Sequence, residues 1–397
     1  MLIISSAVIF AAVCAFMILR RQTPPARAAL IAGLATVAAV LPHLGFAKSP
    51  GSFFPLFTVV LCGVYALFAL GLNVVVGYAG LLDLGYVAFF LFGAYAGGWF
   101  MSDFLVNLNE GLNVHVLSPS LKAIPGVHLP FWLVFIIAGV IAAVAGVVIG
   151  APTLRLKSDY LALVTLGFGE LLYEVFRNGD DVFGLNLTNG TKGVGPLDNI
   201  GSGPLNYIPG FKKVLLVGAS PAKYYIIVAL CAMFVWVSIK LRSGKLGRAW
   251  MAIREDELAA SLMGVPLMRT KLWSYAIGAI AGGVGGAFYA TIVGTVNVDN
   301  FTFSFSIIVL CSVILGGMGN VWGVILGAVV ITWVNYTGLT WVGDKINVNL
   351  KSWEFALFGL VLVLMMLFRP DGFLPAARAK QVKKAEATTI AAQGGAA

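Results

Sequence analysis

The stretch PFWLVFIIAGVIAAVAGVVIG, residues 130–150, contains no charged side chain and no alternation of polar with apolar positions. A helix needs roughly 20 apolar residues to cross the hydrocarbon of a bilayer, whereas a barrel strand alternates with a period of two. The reading is a membrane-crossing α-helix. Comparable runs lie near 2–19, 28–46, 54–76, 84–101, 160–176, 223–241, 271–295 and 353–368, with two shorter ones at 303–317 and 321–336. The expected fold class is all-α, a polytopic helical membrane protein of about 10-11 transmembrane helices. The short pair flanks Leu315-Gly316-Gly317-Met318-Gly319-Asn320, so broken or re-entrant helices are the alternative to full crossings there.

Composition agrees with those runs. The 397 residues are 59% hydrophobic and 11% charged, with a mean hydropathy of +0.93. Soluble domains carry roughly 25% charged residues. A net charge of +9 invites a nucleic-acid reading, but the basic residues sit in short segments beside apolar spans, which is how membrane topology is written. Segments 20–27, 151–158, 240–271 and 369–397 fall on one side of the spans and hold 17 of the 26 lysines and arginines. That bias puts the C-terminus in the cytoplasm and the N-terminus outside. Arg20 and Arg21 follow the first apolar run rather than preceding it, so this run reads as a membrane helix and not a cleaved signal. Cys14, Cys62, Cys231 and Cys311 all fall within apolar runs without metal-like spacing and read as packing residues.

Gly247–Gly264, GRAWMAIREDELAASLMG, is the one long polar interruption with helical grammar. Asp256 is placed to cap a helix, and Glu255 and Glu257 bring negative charge to the positive end of its dipole. Leu258 and Leu262 share a stripe, with Ala259 and Met263 beside them. Gly264 supplies the left-handed stop, and Pro266 follows. Two readings stay open on the residues alone: a docking element, or a helical loop without a partner.

No phosphate-cradling G-x-x-x-x-G-K-[ST] occurs, and His43, His115 and His128 form no metal set. The activity left to consider is passage of a solute. Gly77-Tyr78-Ala79-Gly80-Leu81-Leu82-Asp83-Leu84-Gly85 interrupts an apolar stretch, and an unwound backbone with a carboxylate at membrane depth is costly and usually functional. Gly278, Gly282, Gly283, Gly285 and Gly286 read as close helix packing. Glu170 and Glu174 lie one turn apart, and Glu170 is the deeper of the two. It suits either a path-lining role, with an amino-acid ammonium as partner, or a structural hydrogen bond to Asn73 or Thr165. Asn73, Gly77, Gly80, Asp83, Gly85, Thr165, Gly167 and Glu170 are the candidates for the solute path, and Gly316, Gly317 and Gly319 for hinging or packing. The outer loop 177–222, rich in Gly, Pro and Asn, reads as an ordered surface loop or a solvated connector.

Five motifs carry a family resemblance: GYAGLLDLGYVAFF at 77–90, LRLKSDYLALVTLGFGE at 154–170, GRAWMAIREDELAASLMGV at 247–265, LGGMGN at 315–320 and RPDGFLP at 369–375. In this order they resemble the membrane permeases of branched-chain amino-acid ABC importers, the LivM-type subunit in particular. The likeness runs from about residue 54 to 375. The apolar runs give N-terminal transmembrane helices over 1–50, and the low-complexity stretch 377–397, ending in Ala and Gly, reads as a disordered cytoplasmic tail. The likeness implies a permease core over 51–376 with the coupling loop at 241–270. It further implies a bacterial inner-membrane location, a homologous permease subunit as heterodimer partner, two cytoplasmic ATPase subunits and a periplasmic substrate-binding protein. No cofactor is expected on this chain, ATP-Mg belonging to the partner ATPase subunits. Glu255, Asp256, Glu257, Leu258, Ala259 and Gly264 would then form the ATPase-coupling segment. The alternatives are a permease of a urea or short-chain amide importer, and an ion-coupled secondary transporter with Asp83 and Glu170 as carriers.

Overall fold

The computed structural model describes residues 55–107, 114–115, 126–156, 158–182, 184–198, 220–346, 348–369 and 372–374. The expected spans at 2–19 and 28–46, Cys14 and the tail 377–397 lie outside the described residues.

Helix α1 (Leu56–Leu72) runs on into a π-helical turn at Asn73–Tyr78, and the chain then leaves helical geometry until α2 (Val87–Phe100). Next come α3 (Phe131–Thr153), α4 (Ser158–Arg177) and α5 (Ser220–Ser243). Two short helices, α6 (Lys245–Glu255) and α7 (Glu257–Leu262), lead into the long α8 (Leu267–Val293). The last group is α9 (Phe303–Gly316), α10 (Val321–Trp333), a second π-helical turn at Val334–Gly338, α11 (Leu339–Ile346) and α12 (Glu354–Phe368). Three two-residue strands, β1 (Met101–Ser102), β2 (Val114–His115) and β3 (Val127–His128), form a small sheet in the order β1-β3-β2.

Among the described residues seven helical segments are long and apolar enough to cross a membrane, and the shorter α2 and the more charged α4 pack among them. The protein is a multi-pass helical membrane protein. Three spans differ from expectation. The run at 160–176 forms α4, whose charges Asp159, Glu170, Glu174 and Arg177 keep it out of the seven. The run at 84–101 becomes helical only at Val87, because residues 79–86 form the break itself. The segment expected at 321–336 continues to Ile346, so that 298–316 and 321–346 give spans of 19 and 26 residues. Asn335, Thr337 and Gly338 look like a helix end in sequence, but the π-helical turn keeps the backbone bonded through them, Leu339 N donating to Val334 O. LGGMGN is therefore the turn of a helical hairpin between α9 and α10. A methyl group added at Gly327 would stand 2.2 Å from Ser312 O, which shows how closely α9 and α10 approach.

The centre of the bundle is α8, which packs against α1, α2 and α3. In lipid no hydrophobic drive pulls apolar helices together, so small residues that let backbones touch supply the packing. The glycines of α8 do this: a methyl group added at Gly93 would lie 2.0 Å from Gly283 O, and one at Gly286 would lie 2.3 Å from Phe90 O. Beside that seam Phe90 meets Phe68, Phe301 and Phe305, each with ring centroids 4.5 Å away. Cys62 and Cys311 are buried free thiols, and Cys231 is half-buried with its Sγ 3.2 Å from Gly63 O. All three are packing residues. On the outside, Ile136, Val140, Val144 and Val148 present an exposed stripe on α3, and Phe358 alone is buried on α12.

The part of the outer loop that is described, 178–182 and 184–198, is ordered. Trp99 Nε1 donates to Leu187 O at 2.9 Å, Asp198 N donates to Met101 O at 2.8 Å, and His128 Nδ1 meets Asp198 Oδ2 at 2.7 Å. These bonds close the end of the bundle opposite α6 and α7.

Candidate functional site

Stretches of all five sequence motifs gather at the other end. Gly247–Gly264 folds as two helices instead of one, and Asp256 is the corner: its extended backbone ends α6, and its Oδ1 accepts the N–H of Ala259 at 2.9 Å to start α7. Gly264 has φ of +82°, the left-handed stop that its place after α7 requires. The apolar stripe of α7 does not pack on the bundle. Leu258, Leu262 and Met263 are 71%, 80% and 85% exposed, and Glu255, Asp256, Glu257 and Ala259 are exposed beside them. By contrast α6 is seated: Trp250 is fully buried, donates its Nε1–H to Thr270 O at 2.7 Å and stacks on Tyr78. Lys271, buried at the start of α8, is paired with Glu257. A rigid mount thus carries an unpartnered apolar face. Residues Trp250, Arg254 and Lys271 were not singled out from sequence; the regular burial of Gly247, Trp250 and Ile253 on one face of α6 is the signal that finds the first.

Above this mount lies the break between α1 and α2. Gly80, with φ of +73°, turns the chain. Asp83 is buried and its Oδ1 accepts Gly85 N–H at 2.9 Å, so the carboxylate serves the unwound backbone first; its Oδ2 has no hydrogen-bond partner among the described residues. Leu84 N–H bonds Thr165 Oγ1 at 3.1 Å, and Val87 N–H bonds Ser306 Oγ at 3.0 Å. Two of the N–H groups that helix breakage releases are thereby answered from α4 and α9, as buried ones must be away from water.

The motif TLGFGE divides its residues between two faces of α4. Thr165 and Gly169 face the break, and a methyl group added at Gly169 would lie 3.2 Å from Gly85 Cα. Gly167 and Glu170 face outward with Leu163 and Leu171, all exposed, and nothing lies within 4 Å of the position a Gly167 side chain would take. The expected hydrogen bond from Glu170 to Asn73 or Thr165 is absent. Thr165 Oγ1 donates to Ala162 O, and Asn73 Oδ1 accepts from Gly319 N at 2.8 Å, because both side chains face the interior while Glu170 does not. Gly77 is hemmed in by Asn73 and the Gly319 backbone, so it packs. Of the expected path residues, Asn73, Gly77, Asp83, Gly85 and Thr165 hold one buried junction with Gly80 at its exposed rim; Gly167 and Glu170 stand on an open face apart from it.

The LGGMGN turn joins the same junction. Gly316 packs on Gly323 of α10, and Gly317 lies under Gly372. The last motif straps the turn down: Phe373 N donates to Leu315 O at 2.9 Å, Leu374 N donates to Gly316 O at 3.2 Å, and Asn320 Nδ2 donates to Leu374 O at 2.8 Å.

Residues 54–368 match the family model described as branched-chain amino acid transport system / permease component. The high-affinity branched-chain amino acid transport system permease protein LivM of Escherichia coli is 34% identical over 79% of this chain and 68% of its own. Its Salmonella typhimurium counterpart is 33% identical over the same shares. A probable branched-chain amino acid transport permease protein LivM of Methanocaldococcus jannaschii is 25% identical over 79% of this chain and 91% of its own. No solved structure matches. With its motifs drawn together at one end of a helical bundle, the chain belongs to the permease component family of branched-chain amino acid transport systems.

Proposed function

We propose that this chain is the permease through which an ATP-driven importer passes branched-chain amino acids, with α6 and α7 on the cytoplasmic side of a bacterial inner membrane. The observation that carries the reading is the exposed stripe Leu258–Leu262–Met263 on a helix bolted to the bundle by Lys271 and Trp250. An apolar face so exposed at the end of a membrane bundle marks an interaction site, and its occupant is a cytoplasmic ATPase subunit. The basic segments 240–271 and 369–397 support that end as the inside, and on this reading the ordered loop 184–198 faces a substrate-binding protein.

The solute path runs along the outward face of α4, where a homologous permease subunit supplies the other wall. A carboxylate facing lipid at Glu170 costs several kcal/mol or more, so a polar environment is its physical place. There it meets the ammonium of an amino acid. Closure of the ATPases on ATP shifts α7 and rocks the two permeases by alternating access, with no covalent intermediate.

The test is a reconstituted transporter in which Glu255, Asp256 and Glu257 are replaced by Ala. The expected result is loss of ATPase stimulation by loaded binding protein; stimulation at the wild-type level would overturn the coupling role. Uptake into vesicles carrying ATP and no ion gradient separates this reading from ion-coupled transport, and competition by leucine against urea or acetamide separates it from an amide importer.

A further inference from the structure

The mount of α6 and α7 grips the bundle at three points. Two of them, Trp250 on Thr270 and Glu257 on Lys271, land on the opening turn of α8, within 20 residues in sequence. The third is different. Arg254, the last but one residue of α6, donates from Nη1 to the carbonyl of Gly77, which is 177 residues away in the π-helical turn that ends α1. The carbonyls at the end of a helix have no partner within it, and a cation placed there answers both the orphan acceptor and the negative end of the dipole. The stem of Arg254 also lies across Gly80, where an added methyl group would stand 2.7 Å from its Cγ. Gly77 in turn abuts Asn73 Oδ1 and Gly319 N, which are hydrogen-bonded to each other at 2.8 Å. A line of bonded and closely packed groups therefore leads from the exposed helix α7, through the guanidinium, to the broken helix and on to the hairpin turn at 317–320.

We propose that Arg254 is the positioning residue that carries displacement of α6 and α7 to the π-helical turn of α1 and, through Asn73, to the Gly317–Asn320 turn. This rests on the reading of the chain as the permease of an ATP-driven importer. The anchors on α8 move the bundle as a body, whereas Arg254 reaches the one place where α1 is already unwound. A side chain that only capped α1 would affect stability and leave the yield of transport per ATP unchanged.

The experiment uses the complete transporter in proteoliposomes, with Leu82→Cys as a reporter on the half-exposed rim of the break. Uptake per ATP hydrolysed and thiol labelling with and without ATP are read for the wild-type arginine, Arg254→Gln and Arg254→Lys. The expected result is that Arg254→Gln still assembles and hydrolyses ATP but loses at least about ten-fold in uptake per ATP, with ATP no longer altering the labelling. Arg254→Lys, which keeps a charged donor, recovers at least half of both. Uptake per ATP within two-fold of wild type in Arg254→Gln, or equal loss in Arg254→Lys, would overturn the proposal. Labelling of Leu82→Cys that is independent of ATP with the wild-type arginine would overturn it without recourse to either variant. Absence of ATP-driven uptake with the wild-type arginine would instead remove the importer reading itself, and this proposal with it.

Discussion

The side-chain oxygen of Asn73 accepts the backbone N–H of Gly319 at 2.8 Å, joining a π-helical turn near the start of the described chain to a hairpin turn 246 residues later. Both groups are buried. Neither turn is an ordinary helix, and each supplies what the other lacks: the turn after α9 presents a free donor, and the widened end of α1 lets a side-chain acceptor reach it.

Asn73→Ala leaves the Gly319 N–H buried without this acceptor. A group stranded in this way costs roughly 1–3 kcal/mol. Thermal unfolding of the purified protein in detergent is expected to shift down accordingly, and an unchanged midpoint would show that the bond contributes nothing.

Two glycines of similar appearance in sequence separate sharply in the structure. A methyl group at Gly93 would sit 2.0 Å from the Gly283 carbonyl oxygen, whereas one at Gly167 meets nothing within 4 Å. Gly93→Ala is expected to abolish the yield of folded protein, since the neighbour is backbone and cannot move aside. Gly167→Ala is expected to purify and melt like the parent. Gly167→Trp is expected to keep the fold and stop uptake, as a bulky group would on the wall of a path.

Replacing Leu258, Leu262 and Met263 by Ser removes apolar surface that is already in contact with solvent. Stability of the isolated permease is therefore expected to change by no more than about 1.5 kcal/mol, about 0.5 kcal/mol for each surface substitution. Co-purification of the ATPase subunits is expected to fail. Retained co-purification would move the docking surface elsewhere.

Lys271 is buried while its partner Glu257 is about half exposed, 6% against 45% for the two side chains. Glu257→Gln takes the counter-charge from a buried ammonium and frees the N-terminus of α7. A double-mutant cycle with Lys271→Met is expected to give a coupling energy on the order of 1 kcal/mol, discounted for the exposed partner. A spin label on α7 is expected to gain mobility in Glu257→Gln. Zero coupling together with an unchanged spectrum would mean that α7 is held by its backbone alone.

The sequence by itself determined the helical membrane class, the approximate place of most of the described spans and the local shape of the polar segment Gly247–Gly264. Each of these depends on local quantities: hydropathy over some twenty residues, the distribution of Lys and Arg, and the cap and stop at Asp256 and Gly264. What only the tertiary structure decided is who faces whom. Sequence spacing places Thr165, Gly169 and Glu170 within six residues, but packing against residues 79–86 assigns the first two to a buried junction and leaves the third on an open face. The fate of 334–346 was hidden for a similar reason, since a π-helical turn keeps its backbone bonds through residues that ordinarily end a helix. Partners such as Gly319 for Asn73 and Gly77 for Arg254 are set by the crossing of distant helices, and no local pattern records which carbonyl or amide a crossing will present.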